Sequence, residues 1–496
     1  MQSSGNVMGL DKTGLALVLI SSILLGIWAT MNTIALRNVL LGVGSLFALV
    51  YWWNWFKANK TSHILPSLSW LYWLPVVLIG LMFIWVVAHY FFFAQNPQQQ
   101  FDELKSTWLR SLLAVILGSA TGLALDRSTR FMPWLWLGLL LSFVVLIYQY
   151  IPNAIAKQSL FAEDWFGNYI YWAKFNGVLA GTILIAGLLG LLIDSIWQNK
   201  AKDKTMQVGM TADRETTSHP NRALMKVNTI NKIATLIYVF VGICIAVYAF
   251  VFIFDAKAGV GMAFILITFW LGIGLLFILK NAASEQDKKR RGAFLIKSLI
   301  AFFLVVVSLL WFTAKHIKNN PGWGSLFEDM AISAQIDTHR NWVGTGAALP
   351  LRKNGTPVAT NTYERVAFAT LGTRLIALNT LGNGSLRSLR EDAKKIEPNY
   401  KNQPYTHSAW IDLGLSFGLP GLLLLPIALF SLLLCAALNP RIRFRATIIT
   451  MAVATLILYL VGEYAFQHGI EILFYLCGLI CGLALIASEQ KQNTSY

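Results

Sequence analysis

Long apolar stretches recur along the whole of this 496-residue chain, and a stretch of that kind has few stable homes. Roughly 20 apolar residues make a helix that crosses the hydrocarbon core of a bilayer with every backbone group bonded inside its own element. Twelve such runs are read, at about 14–32, 35–54, 66–93, 107–125, 131–150, 176–197, 231–254, 258–280, 293–313, 409–437, 446–463 and 467–487. With 56% of residues apolar and 13% charged, the composition excludes a soluble globular domain. The expected fold is all-α: a polytopic integral membrane protein of about 12 transmembrane helices. The first run, Gly14 to about Met31, is too long for a signal-peptide core and is expected to stay attached.

The formal net charge of +16 is placed in a way that argues against nucleic acid. With Met1 in the cytoplasm, the short inner loops hold Lys57 and Lys60, then Arg127 and Arg130, then the group from Lys200 to Lys226. Lys288 to Arg291 and the Arg441, Arg443 and Arg445 set complete the series. The outer turns are nearly bare of such charge, so the positive-inside rule puts both termini in the cytoplasm.

The resulting division is 1–197 for the first six spans, 198–230 for a polar cytoplasmic loop expected to be flexible, 231–313 for spans seven to nine, 314–408 for a large outer loop, and 409–496 for the last three spans and a cytoplasmic tail. Residues 151–175 are aromatic-rich, as expected of a segment at headgroup level. No internal repeat is seen. Cys244, Cys435, Cys477 and Cys481 all fall in apolar runs and are read as packing groups, without a disulfide or a metal site.

The outer loop carries twelve Lys or Arg against seven Asp or Glu, and its length exempts it from the charge rule. Its periodicity predicts two helices. In 361–384, Phe368, Leu371, Leu375 and Leu378 share a stripe, with Asn361 and Glu364 as a cap and Gly382 and Gly384 as the stop. In 385–396, Leu386, Leu389, Ala393 and Ile396 face inward, and Arg387, Arg390 and Lys394 outward. A solvated cap without chemistry is one reading of this loop.

Three residues suggest chemistry. His407 is the last loop residue but one before a span and can exchange a proton near neutral pH. Arg365 opens the first loop helix, and Lys257 sits in the tight turn between spans seven and eight. Each has a plain alternative: a wet interfacial histidine, a solvated arginine, a snorkelling lysine. Together they fit glycan transfer from a lipid pyrophosphate, which needs cations for the leaving group and a base for the attacking hydroxyl. Arginine offers a fork to phosphate oxygens, lysine a point charge. No Gly-rich phosphate loop or Asp-rich metal motif appears, and none is needed if the donor is already activated.

These residues also resemble a family. THSAWIDLGLSFGLPG (406–421) is similar to the histidine motif of bacterial O-antigen ligases and their relatives, the O-antigen polymerases and protein O-oligosaccharyltransferases. The likeness extends through YERVAFATLG (363–372) and TLGNGSL (380–386) and covers about 250–421; the first six spans match only in number and hydropathy.

The resemblance implies a layout like the GT-C class of lipid-linked glycosyltransferases, in the bacterial inner membrane, with the loop periplasmic. It further implies metal-independent, inverting transfer, without a cofactor, from an undecaprenyl-pyrophosphate-linked glycan to a lipid A-core acceptor. His407 matches the essential histidine, and Arg365 the arginine that contacts the pyrophosphate. The chain departs from the family at 256–259, where Ala-Lys-Ala-Gly replaces a Ser-Arg-Gly-Ala turn. Lys257 keeps the charge but not the fork, so Arg340 or Arg352, in the insert 339–360, is an alternative second ligand.

Three rivals stay open. A twelve-span transporter shares the layout, but only KANKTSH stands between spans two and three, and Asp194, Lys297 and Asp412 lie near span ends rather than mid-span. A polymerase or protein oligosaccharyltransferase differs from a ligase in its acceptor, which sequence does not reveal; the short tail after the last span favours the ligase. A structural or regulatory cap in a larger assembly is the third.

Overall fold

The computed structural model describes residues 4–28, 30, 33–59, 70–158, 170–212, 222–284, 288–319, 321–439, 442–462, 464 and 467–485. Among these there is no named strand, only an isolated bridge between Leu351 and Pro357. Nine helices are long and apolar enough to cross a membrane, and three shorter apolar helices, Lys12–Trp28, Phe302–Lys315 and Arg445–Val461, occupy the places of the remaining expected runs. The chain is a multi-pass membrane protein.

The bundle helices are α1 (Ser4–Trp28), α2 (Ile34–Asn59), α3 (Trp70–Phe92), the short α4 (Pro97–Glu103), α5 (Leu109–Arg127), α6 (Met132–Lys157), α7 (Ile170–Ala212), α8 (Arg222–Tyr248), α9 (Lys257–Ser284) and α10 (Lys288–Asn319). The large loop contributes α11 (Leu326–Ser333), α12 (Thr360–Leu378) and α13 (Leu389–Ile396). α14 (Ala409–Leu438), α15 (Arg445–Val461) and α16 (Gln467–Leu485) complete the bundle.

Several boundaries differ from expectation. α7 runs on to Ala212, into the tract expected to be flexible, because its Lys, Ala, Met and Gln residues are good helix formers. Residues 213–221 of that tract lie outside the described residues. The expected interfacial segment 151–175 is helical at both ends, as the end of α6 and the start of α7; residues 159–169 lie outside the described residues. α4 begins ten residues before the expected fourth span and joins α5 through a π-helical turn, Leu104–Trp108.

Close backbone approach sets the centre of the bundle. Gly118 and Gly122 of α5 face Gly478 and Gly482 of α16, and a Cβ at any of the four would overlap the partner helix's main chain. Small residues one turn apart on both helices are what lets membrane helices pack this tightly where no hydrophobic effect drives them together. The periphery is the reverse: Leu46, Ile84, Phe240, Phe303 and Trp311 are all more than half exposed, as expected of an apolar rim that faces a bilayer.

The loop folds as a cap with its own apolar core. Trp342, Val343, Val358, Tyr363, Phe368, Leu371, Leu375, Leu389 and Tyr400 are buried together with Ile411 and Leu415 of α14, which ties the cap to that helix. α11 was not foreseen. Asn361 lies inside the first turn of α12, whose cap is Ala359, so the expected Asn361 cap is not formed. Leu378 and Ile396, expected inward, are 75% and 48% exposed because each ends a helix beyond the edge of the cap core.

α14 is broken. Gly418 has φ 64° and ψ −152°, a conformation only glycine adopts readily, and the ladder opens around it. The glycine turn of the cap fills the gap: Asn383 N–H donates to Leu415 O, Gly384 N–H to Ser416 O, and Leu419 N–H to Thr380 O. Ser416 Oγ donates to Ser385 O at 2.6 Å. Behind the turn, His89 contacts Leu381 O through Nε2 at 3.1 Å. Glu103 accepts from Ser385 Oγ and Leu386 N–H at 2.8 and 3.0 Å. Irregular backbone at membrane depth is thereby bonded to protein rather than left to lipid.

Candidate active site

His407 stands in the two-residue link between the cap and α14, with φ 58°, in the left-handed region that non-glycine residues seldom occupy. A clamp holds it there. Asp412, one turn into α14 and almost fully buried, accepts from both the N–H and the Oγ–H of Thr406 at 2.8 Å, and Ser408 Oγ donates to Leu460 O at 2.8 Å. Gly462, at the C-terminus of α15, lies so close that a Cβ there would overlap the His407 carbonyl. The strained residue is thus over-determined by its neighbours, as strained functional residues generally are.

The His407 imidazole stacks on Phe175 of α7, with centroids 5.4 Å apart and planes 9° from parallel, and meets Tyr405 edge-on at 4.9 Å. The Arg365 guanidinium of α12 lies over the same Phe175 ring, 5.7 Å from its centroid, and donates to Val461 O at 2.7 Å. One aromatic ring thus brings together an imidazole and a guanidinium from residues 42 positions apart in sequence. Burial, and then the charge of Arg365, lower the His407 pKa to about 4, so the ring is neutral at pH 7.

The other expected cations lie elsewhere. Lys257 begins α9, within electrostatic reach of Asp255, Asp329 and Arg352. Arg352 grips the fully buried Asp329 with both ends of its fork, at 2.6 and 2.9 Å, and also bonds Thr356. Burial raises the Asp329 pKa, but Arg352 and the Ala359 N–H outweigh it and hold the carboxyl below its usual range. Arg340 pairs with Glu397. The fork of Arg352 is therefore occupied by a carboxylate, whereas Arg340 meets Glu397 through one nitrogen and is otherwise 59% exposed.

α7 connects the surroundings of Lys257 and His407: a Cβ at Gly177, two residues after Phe175, would run into the ring of Phe254, three residues before Lys257. His407 with Arg365, and Lys257 with Arg352, thus flank the cap-side end of one helix. Phe175 and Tyr405 were not singled out from sequence, since each lies among several aromatics. Asp329 was hidden as one acid in a basic loop. Asp194, noted near a span end, caps the start of α15 through Ala446 and Thr447 at 2.7 to 2.9 Å and is used up there.

Among the described residues no group of three or more His, Cys, Asp or Glu side chains is arranged to hold a metal ion. Comparison with protein-family models and with curated proteins finds no match. The class that fold and site define is a multi-pass membrane protein with a folded cap over a histidine and an arginine at one end of the bundle.

Proposed function

We propose that the protein transfers a glycan from a polyprenyl diphosphate, as an O-antigen ligase-like glycosyltransferase of the bacterial inner membrane, with the cap in the periplasm and both termini in the cytoplasm. The observation that carries this reading is the meeting of His407 and Arg365 across Phe175 beneath the cap. The basic cytoplasmic loops support the orientation.

In this reaction the acceptor hydroxyl oxygen forms a bond to the anomeric carbon of the donor sugar, and the bond from that carbon to the diphosphate oxygen breaks. His407 takes the hydroxyl proton. The lipid diphosphate leaves with one more negative charge, which Arg365 receives, with Lys257 as the second cation from the other flank of α7. A pKa of about 4 makes the empty site's imidazole a weak base. Binding of a diphosphate beside it offsets the charge of Arg365 and raises the imidazole pKa toward the working range, so basicity arrives with the donor.

The acceptor we assign is lipid A-core. The experiment is a deletion strain complemented with wild-type or H407A protein. Full-length glycan accumulating on the polyprenyl diphosphate with uncapped core supports the ligase, single repeats on core indicate a polymerase, and unglycosylated protein with normal core indicates a protein oligosaccharyltransferase. Normal transfer by H407A overturns the enzymatic reading altogether.

A further inference from the structure

A second group of charges lies at the cap-side end of the bundle. Arg37 is in the first turn of α2, Arg110 in the first turn of α5, and His468 and Glu471 in the first turns of α16. The end is fixed by neighbours. α16 follows the turn whose Val461 and Gly462 hold Arg365 and His407, and Arg110 follows Glu103, which is bonded to the cap at Ser385 and Leu386.

The four side chains form a chain of contacts. Arg37 Nη2 is 3.2 Å from His468 Nε2, His468 Nδ1 is 3.7 Å from Glu471 Oε1, and Arg110 Nε is 2.7 Å from the same oxygen. Among the described residues two permanent cations, Arg37 and Arg110, thus lie beside the Glu471 carboxylate. Arg37 is only 6% exposed and Glu471 2%; among the described residues Arg37 Nε, Arg110 Nε, His468 Nδ1 and Glu471 Oε1 are all buried without a hydrogen bond, so Arg110 and His468 meet Glu471 by charge proximity alone.

A surplus charge in such a place is costly, and arginine cannot relieve it by losing a proton. An anion can. The flanks say what kind: Ile34, Leu36 and Val39 around Arg37, and Leu109 and Leu112 around Arg110, are all exposed apolar side chains on the same turns. A ligand that satisfies both features has a phosphate beside hydrocarbon chains.

We propose that Arg37, Arg110 and His468 form a binding site for the phosphate of an anionic phospholipid, separate from the His407 site. The site does not depend on glycan transfer. The phosphate bonds Arg37 from the bilayer side, Arg110 adds charge from α5, and Glu471 offsets part of the excess.

The test uses the full-length protein in non-ionic detergent, delipidated, then titrated separately with dioleoylphosphatidylglycerol, dioleoylphosphatidylcholine and inorganic phosphate, with bound species counted by native mass spectrometry. Wild type is expected to retain one phosphatidylglycerol in preference to phosphatidylcholine. Arg37→Gln is expected to weaken retention by about tenfold or more, as for one charge-assisted hydrogen bond. Glu471→Gln removes the carboxylate that Arg110 and His468 contact and is expected to strengthen it.

The last variant decides the matter even where Arg37→Gln fails to fold, because an ion network that serves only structure gains no lipid when its acid is removed. Unchanged retention in Glu471→Gln, equal retention of the two lipids, or retention of inorganic phosphate alone overturns the proposal.

Discussion

Charge is used in two different ways in the cap and beside Phe175. In the cap, Arg352 with Asp329, Arg374 with Asp337 and Arg340 with Glu397 are arginine–carboxylate pairs, the first two with both ends of the fork engaged. Such pairs fix geometry. Beside Phe175, an imidazole and a guanidinium are arranged around an aromatic face, and the surroundings set protonation instead, pushing His407 down to about 4. The difference teaches that a basic loop is not uniformly a ligand surface: several of its cations are paired with the cap's own carboxylates, while others are placed differently.

The sharpest test of that division is His407→Ala. Transfer is expected to fall by about 10²- to 10⁴-fold, the scale of base catalysis, while the thermal midpoint stays near wild type. A large drop in midpoint would place His407 with the structural set. Arg352→Met should do the opposite. It leaves Asp329 buried and unpaired, which costs about 3–5 kcal/mol and should appear as faster hydrogen exchange and proteolysis across α11 and α12. An unaltered cap would break the comparison.

Asp412 tests the link between the two regions. Asp412→Ala frees Thr406 and is expected to lower kcat by about 10- to 100-fold through a misplaced imidazole. Asp412→Asn keeps an acceptor for Thr406 and should recover most of the loss. Equal loss in both variants would rule out a positioning role.

Protonation offers a gentler probe. Because burial and Arg365 lower the His407 pKa from 6.5 to about 4, the unfolded chain binds more protons than the folded chain between those values. Stability from this group is complete above about 6.5 and is lost as pH falls toward 4. The acid limb of kcat/KM should likewise lie near 4, and that of kcat higher, since the second reports the donor-bound site. Phe175→Leu should raise the pKa of the empty site by opening the ring to water; coincident limbs in the variant and wild type would deny Phe175 that influence. The smallest effect is expected from Arg374→Ala. Its pair with Asp337 is exposed on both sides and screened by solvent, so the midpoint of chemical denaturation should barely move.

Hydropathy made the bundle legible because each span must be apolar along its whole length, and among the described residues nine of the expected runs coincide with helices long and apolar enough to cross a membrane. Its edges were not legible. Nothing in a transfer scale stops α7 at the membrane surface, and a good helical sequence carries it on to Ala212. In the cap, periodicity found the inward faces of Phe368, Leu371, Leu375, Leu389 and Ala393, which are buried, but overran at Leu378 and Ile396, where the helix outlasts the core beneath it.

The two poles of the candidate site could be named from their residue types and motif. Their meeting could not, since Phe175 belongs to a different helix and looks like any interfacial aromatic. Arg340 and Arg352 could be named as candidate ligands from sequence, but not the acids they contact. Their carboxylate partners, Glu397 and Asp329, are 57 and 23 residues away and become visible as partners only in the fold.

The break at Gly418 carries a consequence for biogenesis. A helix with an interrupted main chain is incomplete as a membrane segment, and the donors and acceptors that complete α14 belong to residues 380–385, which precede it in the chain. Completion of α14 and docking of the cap's glycine turn onto it are therefore a single event, and a chain whose cap folds late should hold this segment with unsatisfied backbone groups until then.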